Sequence, residues 1–350
     1  MVKHVVFAVP GSLDTPTGGY AYDRRIIAEL RELGWLVEVI DIGEGFPSPD
    51  EATRSAARSL LLKVPTGQPI VLDGLALGVL PDVAAELARR NPLLALVHHP
   101  LALEWGLSAD QADVLRGTER AALAAAREVV VTSPATAKLV AADYGVPMGR
   151  ITVARPGSDP APRSTGSQSE LPHLLSVGSV VPRKGFDVLV AALARIAELP
   201  WRLTIAGDLT RHPNEAARLQ ASISQHRLTG RIETPGAVSS ERLAALYSEA
   251  DLFVLASRFE GYGMAYAEAL SRGLPVIGTT AGAIPDTVPH QAGLLVPPGD
   301  VSALAEALRS VLADADLRRR LSDAASEAAR MLPSWRQSGE IFAATLEKLA

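Results

Sequence analysis

The chain contains no cysteine. That excludes disulfides, thiolate metal sites and a cysteine nucleophile, and it points to a reducing compartment, the cytoplasm. Aromatic residues make up only 5% of it, too few to suggest a stacking surface for single-stranded nucleic acid. No block of five or more like charges occurs, and 34 basic against 39 acidic residues leave a net charge of −5. A duplex nucleic-acid partner is therefore not expected. Long hydrophobic runs are missing as well: Asp73, Asp82 and Glu86 cut the longest candidates for a membrane span. The first apolar run stops at Pro10-Gly11, short of an export-signal core and with no small-residue cleavage site behind it.

What is present is an ordinary globular balance, 47% apolar and 21% charged over 350 residues, enough for two domains. Short apolar runs read as strands at 4–9, 36–40, 70–72, 93–97, 128–131 and 151–154. Each is nearly continuous in apolar residues, as in a parallel sheet covered on both faces. Helical patterns lie between them; the first starts near Gly19, carries Ile26, Ile27, Leu30 and Leu33, and closes at Gly34. Between Arg155 and Glu170 the periodicity fails in a run rich in proline, glycine and serine, the composition of a linker. The alternation restarts with strands at 173–177, 203–206, 251–255, 275–278 and 293–296, and the chain closes with two or three successive helices. The expected fold is α/β, with two Rossmann-like doubly wound domains facing a central cleft. Ligands in such sheets sit beyond the carboxyl ends of the strands, so the loops there carry the search for a site.

Four loops stand out. In the first, a buried strand ends at Leu255 and runs through Ser257-Arg258-Phe259-Glu260-Gly261-Tyr262-Gly263-Met264 into a helix bearing Glu268. Free backbone N–H groups at such a helix start form an anion site. Two carboxylates eight residues apart can accept hydrogen bonds from sugar hydroxyls on either side of that anion. In the second, Gly178 through Gly185, Arg183 and Lys184 provide a fork of donors and a mobile point charge suited to a pyrophosphate. Cations at a helix start oppose its dipole, which an anion nearby would explain. In the third, Gly18-Gly19 lets a phosphate or sugar approach a helix start. In the fourth, His98-His99 ends a strand, where imidazoles can bond ligand hydroxyls or move protons. No third ligand stands at metal spacing from these histidines, and Asp314-Ala315-Asp316 reads as a turn between helices; no metal is expected.

Those four loops, in this order, resemble the retaining glycosyltransferases of family 4, which have the GT-B fold. The resemblance covers essentially the whole chain. Its most specific element is Glu260 to Glu268, the family's E-x7-E motif, set between Ala250-Asp251-Leu252-Phe253-Val254-Leu255 and Gly273-Leu274-Pro275-Val276; the run Gly293 to Asp300 supports it. The resemblance implies that Arg183 and Lys184 hold the donor diphosphate. By the same token Glu268 binds the ribose, and Glu260 lies near the donor sugar's hydroxyls. It implies that Gly18 and Gly19 close over phosphate and acceptor, and that His98, with His99 as the alternative, contacts the transferred sugar. Gly178, Gly261, Tyr262, Gly263 and Met264 complete the expected donor site, with Asp208 and Val238 as further candidates. Trp335 looks like the aromatic that starts the last helix, which in the family crosses back to the N-terminal domain. The implied limits are residues 1–157 plus about 333–350 for an acceptor domain, 158–170 for the linker, and 171–332 for a nucleotide-sugar donor domain.

Two departures bear on the donor sugar. Many relatives have Gly-Gly-x-Pro-Glu where this chain has Ala281-Gly282-Ala283-Ile284-Pro285-Asp286, and the hinge, often Asn-Gly-Val-Asp, is Pro156-Gly157-Ser158-Asp159. The implied reaction transfers a hexosyl unit from a nucleotide diphosphate sugar to an acceptor hydroxyl with retained configuration, without a cofactor. A small soluble acceptor is expected, no strong membrane signal is seen, and a homo-oligomer is left open. The alternatives are a retaining disaccharide phosphorylase, a sugar-nucleotide epimerase, or a two-lobed sugar-binding protein without catalysis.

Overall fold

A computed structural model describes residues 3–349. The chain divides into two compact units, one running to Gly157 and taking up the chain again at Pro333, the other spanning Ser158–Leu332.

The first unit is built on β1 (His4–Val9), β2 (Leu36–Asp41), β3 (Ile70–Asp73), β4 (Leu93–Val97), β5 (Glu128–Val131) and β6 (Ile151–Val153). All its pairings are parallel, in the order β2-β1-β3-β4-β5-β6. Central strands such as β4 are buried at every residue, which is why their sequence shows no alternation. The first helix, Gly18–Glu32, buries Ile26, Ile27 and Leu30 and is capped by Thr17. The last helix, Trp335–Glu347, begins with a capping box at Ser334 and packs on the first. Gly157 permits this return: a Cβ there would stand 2.2 Å from the Trp335 nitrogen.

The second unit contains β7 (His173–Val177), β8 (Arg202–Ala206), β9 (Ile232–Gly236), β10 (Leu252–Val254), β11 (Val276–Thr279) and β12 (Gly293–Val296). They are again parallel, in the order β12-β11-β10-β7-β8-β9. The order in which strands are added reverses between β7 and β10, and their two following loops open at that switch point.

Sequence patterning misses β9, whose Ile-Glu-Thr-Pro-Gly carries a proline and two polar residues. It is an edge strand, where a missing N–H is tolerated. The stretch 158–170 has no regular structure yet is not a loose tether. Ser164 Oγ donates to the Ser248 and Ala250 carbonyls, Ser167 N to Asp251, and Arg163 pairs with Asp323. Its polar side chains satisfy backbone groups of the second unit, a use that composition does not reveal.

Candidate functional site

In the second unit the loops after β7 and β10 are tied together by charge. A short 3₁₀ turn, Pro182–Lys184, follows β7 and ends at Gly185 in the left-handed region (φ +66°). Only glycine fits there, since a Cβ would lie 2.1 Å from the Ala256 carbonyl oxygen. That contact brings Arg183 and Lys184 to the end of β10. Lys184 Nζ donates to Glu260 Oε1 at 2.7 Å, Arg183 Nη1 to Glu260 Oε2 at 3.3 Å and to the Phe259 carbonyl at 2.9 Å. Ser257 Oγ donates to the same Oε1 at 2.6 Å. Glu260 is 6% exposed. Burial alone would raise its pKa, but Lys184 and Arg183 overcome that and hold the carboxyl at about 2.

The helix Met264–Ser271 starts directly beyond, from Gly263 (φ +92°), with no side chain capping its first N–H groups. Gly261, Tyr262 and Gly263 are buried in this turn, and Thr287 Oγ1 donates to the Tyr262 carbonyl. Met264 is half-buried at the helix start. Glu268 projects one turn further along. Burial pushes its carboxyl up, against the opposing influence of Tyr247 and Arg272. The two glutamates of the spaced pair therefore serve different surroundings: Glu260 is fixed among cations, and Glu268 sits beside a phenol and Arg272. Gly178 lies against the Lys184 stem, which a Cβ there would meet at 3.0 Å. Asp208 accepts from Thr210 N and Oγ1, each at 2.7 Å, and so braces the turn after β8; Val238 is half-buried against the core beyond β9.

In the first unit, Gly18 and Gly19 open the first helix, and Gly19 faces the His98 ring, which a Cβ there would approach to 3.3 Å. His98 Nε2 lies 3.1 Å from Asp23 Oδ1 and 3.2 Å from Asp73 Oδ2. Asp23 and Asp73 are both buried. Burial would lower the imidazole's pKa, but the two carboxylates overcome it and push it up to about 10. Burial likewise lifts Asp23. His99 instead points at Glu104, 3.4 Å away. The absence of a third ligand in the sequence was thus a matter of spacing along the chain. In three dimensions Asp23, Asp73 and His98 bring their donor atoms within 4.8 Å of one another, close enough to surround a cation. Asp314-Ala315-Asp316 is a helix start, Asp314 capping Leu317 N and Asp316 pairing with Arg319.

Residues 158–328 match glycosyl transferases group 1. This group 1 region is nearly the whole of the second unit. Among curated relatives, the D-inositol 3-phosphate glycosyltransferase of Xylanimonas cellulosilytica is 31% identical over 61% of this chain and 55% of its own length. The MMP alpha-(1->4)-mannosyltransferase of Mycolicibacterium hassiacum is 28% identical, over 87% of this chain and 76% of the relative. The chain spans about half the length of the first of these. Among solved structures, sucrose-phosphate synthase from Thermosynechococcus elongatus superposes with a TM-score of 0.83 at 23% identity, over 99% of both chains. Anabaena HepE, solved with UDP-glucose, gives 0.75 at 20% identity over 99% of each. The fold is GT-B.

Around the group 1 region's charged cluster, residues that the sequence did not single out do much of the holding. Arg258 forks onto Asp187 (2.9 and 2.6 Å) and onto the Pro182 carbonyl, clamping the two loops. Thr279 Oγ1 donates to the Ser257 carbonyl at 2.6 Å, and Ala283 N to the Glu260 carbonyl at 2.9 Å. The divergent Ala281–Asp286 run therefore supports the backbone that carries Glu260. Asp23 and Asp73, in the first unit, are the other omission. Two aspartates fifty residues apart, one mid-helix and one at a strand end, leave no motif.

Proposed function

We propose that this protein is a retaining hexosyltransferase of family 4, moving a sugar from a nucleotide diphosphate sugar to a hydroxyl of a small acceptor. The observation that carries the reading is the junction of Arg183, Lys184 and Glu260 at the switch point, beside an uncapped helix start. Two cations meet one carboxylate there, beside a helix start whose first N–H groups no side chain caps. A diphosphate suits such a set of donors, and its negative charge grows as the glycosidic bond breaks. Donors fixed beforehand by Glu260 and the Phe259 carbonyl need little reorganisation at that moment, so leaving-group stabilisation is the main catalytic contribution. Glu268 is assigned to the ribose hydroxyls, and His98 to the transferred sugar. With no carboxylate assigned as nucleophile, departure and attack on one face, with the diphosphate accepting the acceptor's proton, fits better than double displacement.

No resident metal or cofactor is assigned to this reaction. Among the described residues no helix is long and apolar enough to cross a membrane, and a cysteine-free chain suits the cytoplasm. A panel of sugar nucleotides tested for slow hydrolysis is the direct experiment, with the released sugar's anomer read by NMR. Release of the donor's own anomer from one nucleotide sugar is expected. Turnover of none, or initial release of the opposite anomer, would overturn the reading.

A further inference from the structure

Beyond the charged cluster of the second unit, the first unit holds a second charged centre, assembled from residues far apart along the chain. His98 follows β4, Asp73 ends β3, and Asp23 lies on the first helix, so three separate elements place one ring nitrogen between two carboxylates, 3.1 and 3.2 Å away. Asp23 has no exposed surface and neither of its oxygens makes a well-aligned hydrogen bond; His98 Nε2 makes none either. Nε2 thus lies between the two acceptors and is aligned with neither. The ring is confined on its other sides: Gly19 leaves no side chain over one face, and Tyr22 stands edge-on at 5.4 Å. Tyr22's hydroxyl is engaged with the Ala154 carbonyl at 2.9 Å and does not compete. Two buried carboxylates this close need a proton or a positive charge between them, and the ring of His98 stands there.

We propose that Asp23 and Asp73 are positioning residues that lock His98 as an imidazolium, so that the ring meets its substrate as a hydrogen-bond donor through Nδ1 and not as a base. Nε2 is committed to the carboxylates, and Nδ1 is the ring atom left for a ligand; the His98 side chain is 20% exposed. A doubly protonated ring has no lone pair with which to take the acceptor's proton. It offers a fixed positive donor to a hydroxyl or phosphate oxygen. The groups that face it are Asp23 and Tyr22 from the first helix and Asp73 from β3. This inference rests on the transferase reading for its catalytic consequence, but the state of the ring can be measured without turnover.

The test is ¹⁵N-histidine NMR of the full chain, with His98 identified by its loss in His98→Gln. Both ring nitrogens of His98 should stay protonated from pH 6 to 8. In Asp23→Asn the ring should titrate near the ordinary value of about 6.5. Wild-type titration inside that window, or no change in Asp23→Asn, would overturn the clamp; should that variant not fold, the wild-type titration alone decides. Selective broadening of the His98 signals by one equivalent of Mn²⁺ would also overturn it, because the centre would then be a metal site. In the hydrolysis assay Asp23→Asn should lower kcat about 10- to 100-fold at pH 8, the size of one lost charged hydrogen bond. The deficit should shrink towards pH 6, where the freed ring is protonated again; a purely structural role would leave it constant. An imidazolium without turnover of any sugar nucleotide would leave the clamp standing and sink the transferase reading instead.

Discussion

Lys184 Nζ and Glu260 Oε1 are 2.7 Å apart although 76 residues separate them, and both side chains are largely buried. The pair joins the loops after β7 and β10, where the strand order of the sheet reverses. A lysine alone at a helix start would be unfavourable against the dipole. Glu260 holds it in place, and Arg183 bonds to the same carboxylate.

Lys184→Ala should therefore reduce turnover of the sugar nucleotide by on the order of 10²-fold. The loss should appear in kcat, since the leaving-group charge develops mainly in the transition state. Steady-state kinetics with the best donor checks this; an unchanged kcat removes Lys184 from the chemistry.

Glu268→Ala should mainly raise the donor KM and leave kcat within a few-fold. A ribose contact is made equally in the ground and transition states, so its loss weakens binding uniformly. Titration with the nucleoside diphosphate alone should show the same loss of affinity, and a fall confined to kcat contradicts the ribose assignment.

Glu260 carries an acid-dependent share of stability. Its carboxyl is held at about 2 folded against an ordinary 4.5, so between those values the unfolded chain binds the extra proton. The contribution is complete above about pH 4.5 and is lost as pH falls towards 2. Glu260→Gln should thus be less stable than wild type at pH 7, by roughly 3 kcal/mol for a broken buried pair. The gap should narrow on acidification, as followed by urea titration at several pH values.

Glu119 behaves in the opposite sense. It is 1% exposed, accepts from Leu101 N at 3.0 Å, and burial raises its carboxyl to about 8. The folded chain holds a proton that the unfolded chain releases above about 4.5, so stability declines as pH rises from there to 8. Glu119→Gln keeps an acceptor for Leu101 and cannot ionise. Its Tm should exceed that of wild type by about 2–4 °C or more at pH 8, with no advantage near pH 4.

A small soluble acceptor predicts weak binding to anionic vesicles. Residues 1–160 contain 15 Lys or Arg against 19 Asp or Glu, and Arg58 is already forked onto Glu86. Roughly 1 kcal/mol per basic residue near an anionic surface does not accumulate on such a balance. Flotation with phosphatidylserine vesicles at low and high salt tests it; strong, salt-sensitive binding would defeat the prediction.

The sequence by itself determined every strand but β9, the alternation, and the charged loops after β7 and β10. Buried parallel strands need unbroken apolar runs, and β1, β4, β5, β7 and β12 have the limits read from those runs. The spaced glutamates and the Arg183-Lys184 pair were legible for a related reason: each set lies within a single loop and the helix that follows it. Tertiary structure alone decided which charges meet. Glu260 sits against Lys184 because Gly185 lets one loop touch the other at Ala256. Asp23 and Asp73 surround His98 because the first turns of the first helix meet the carboxyl ends of two neighbouring strands, β3 and β4. Electrostatic partnership depends on distance in space, and along a doubly wound chain neighbours in the sheet are tens of residues apart.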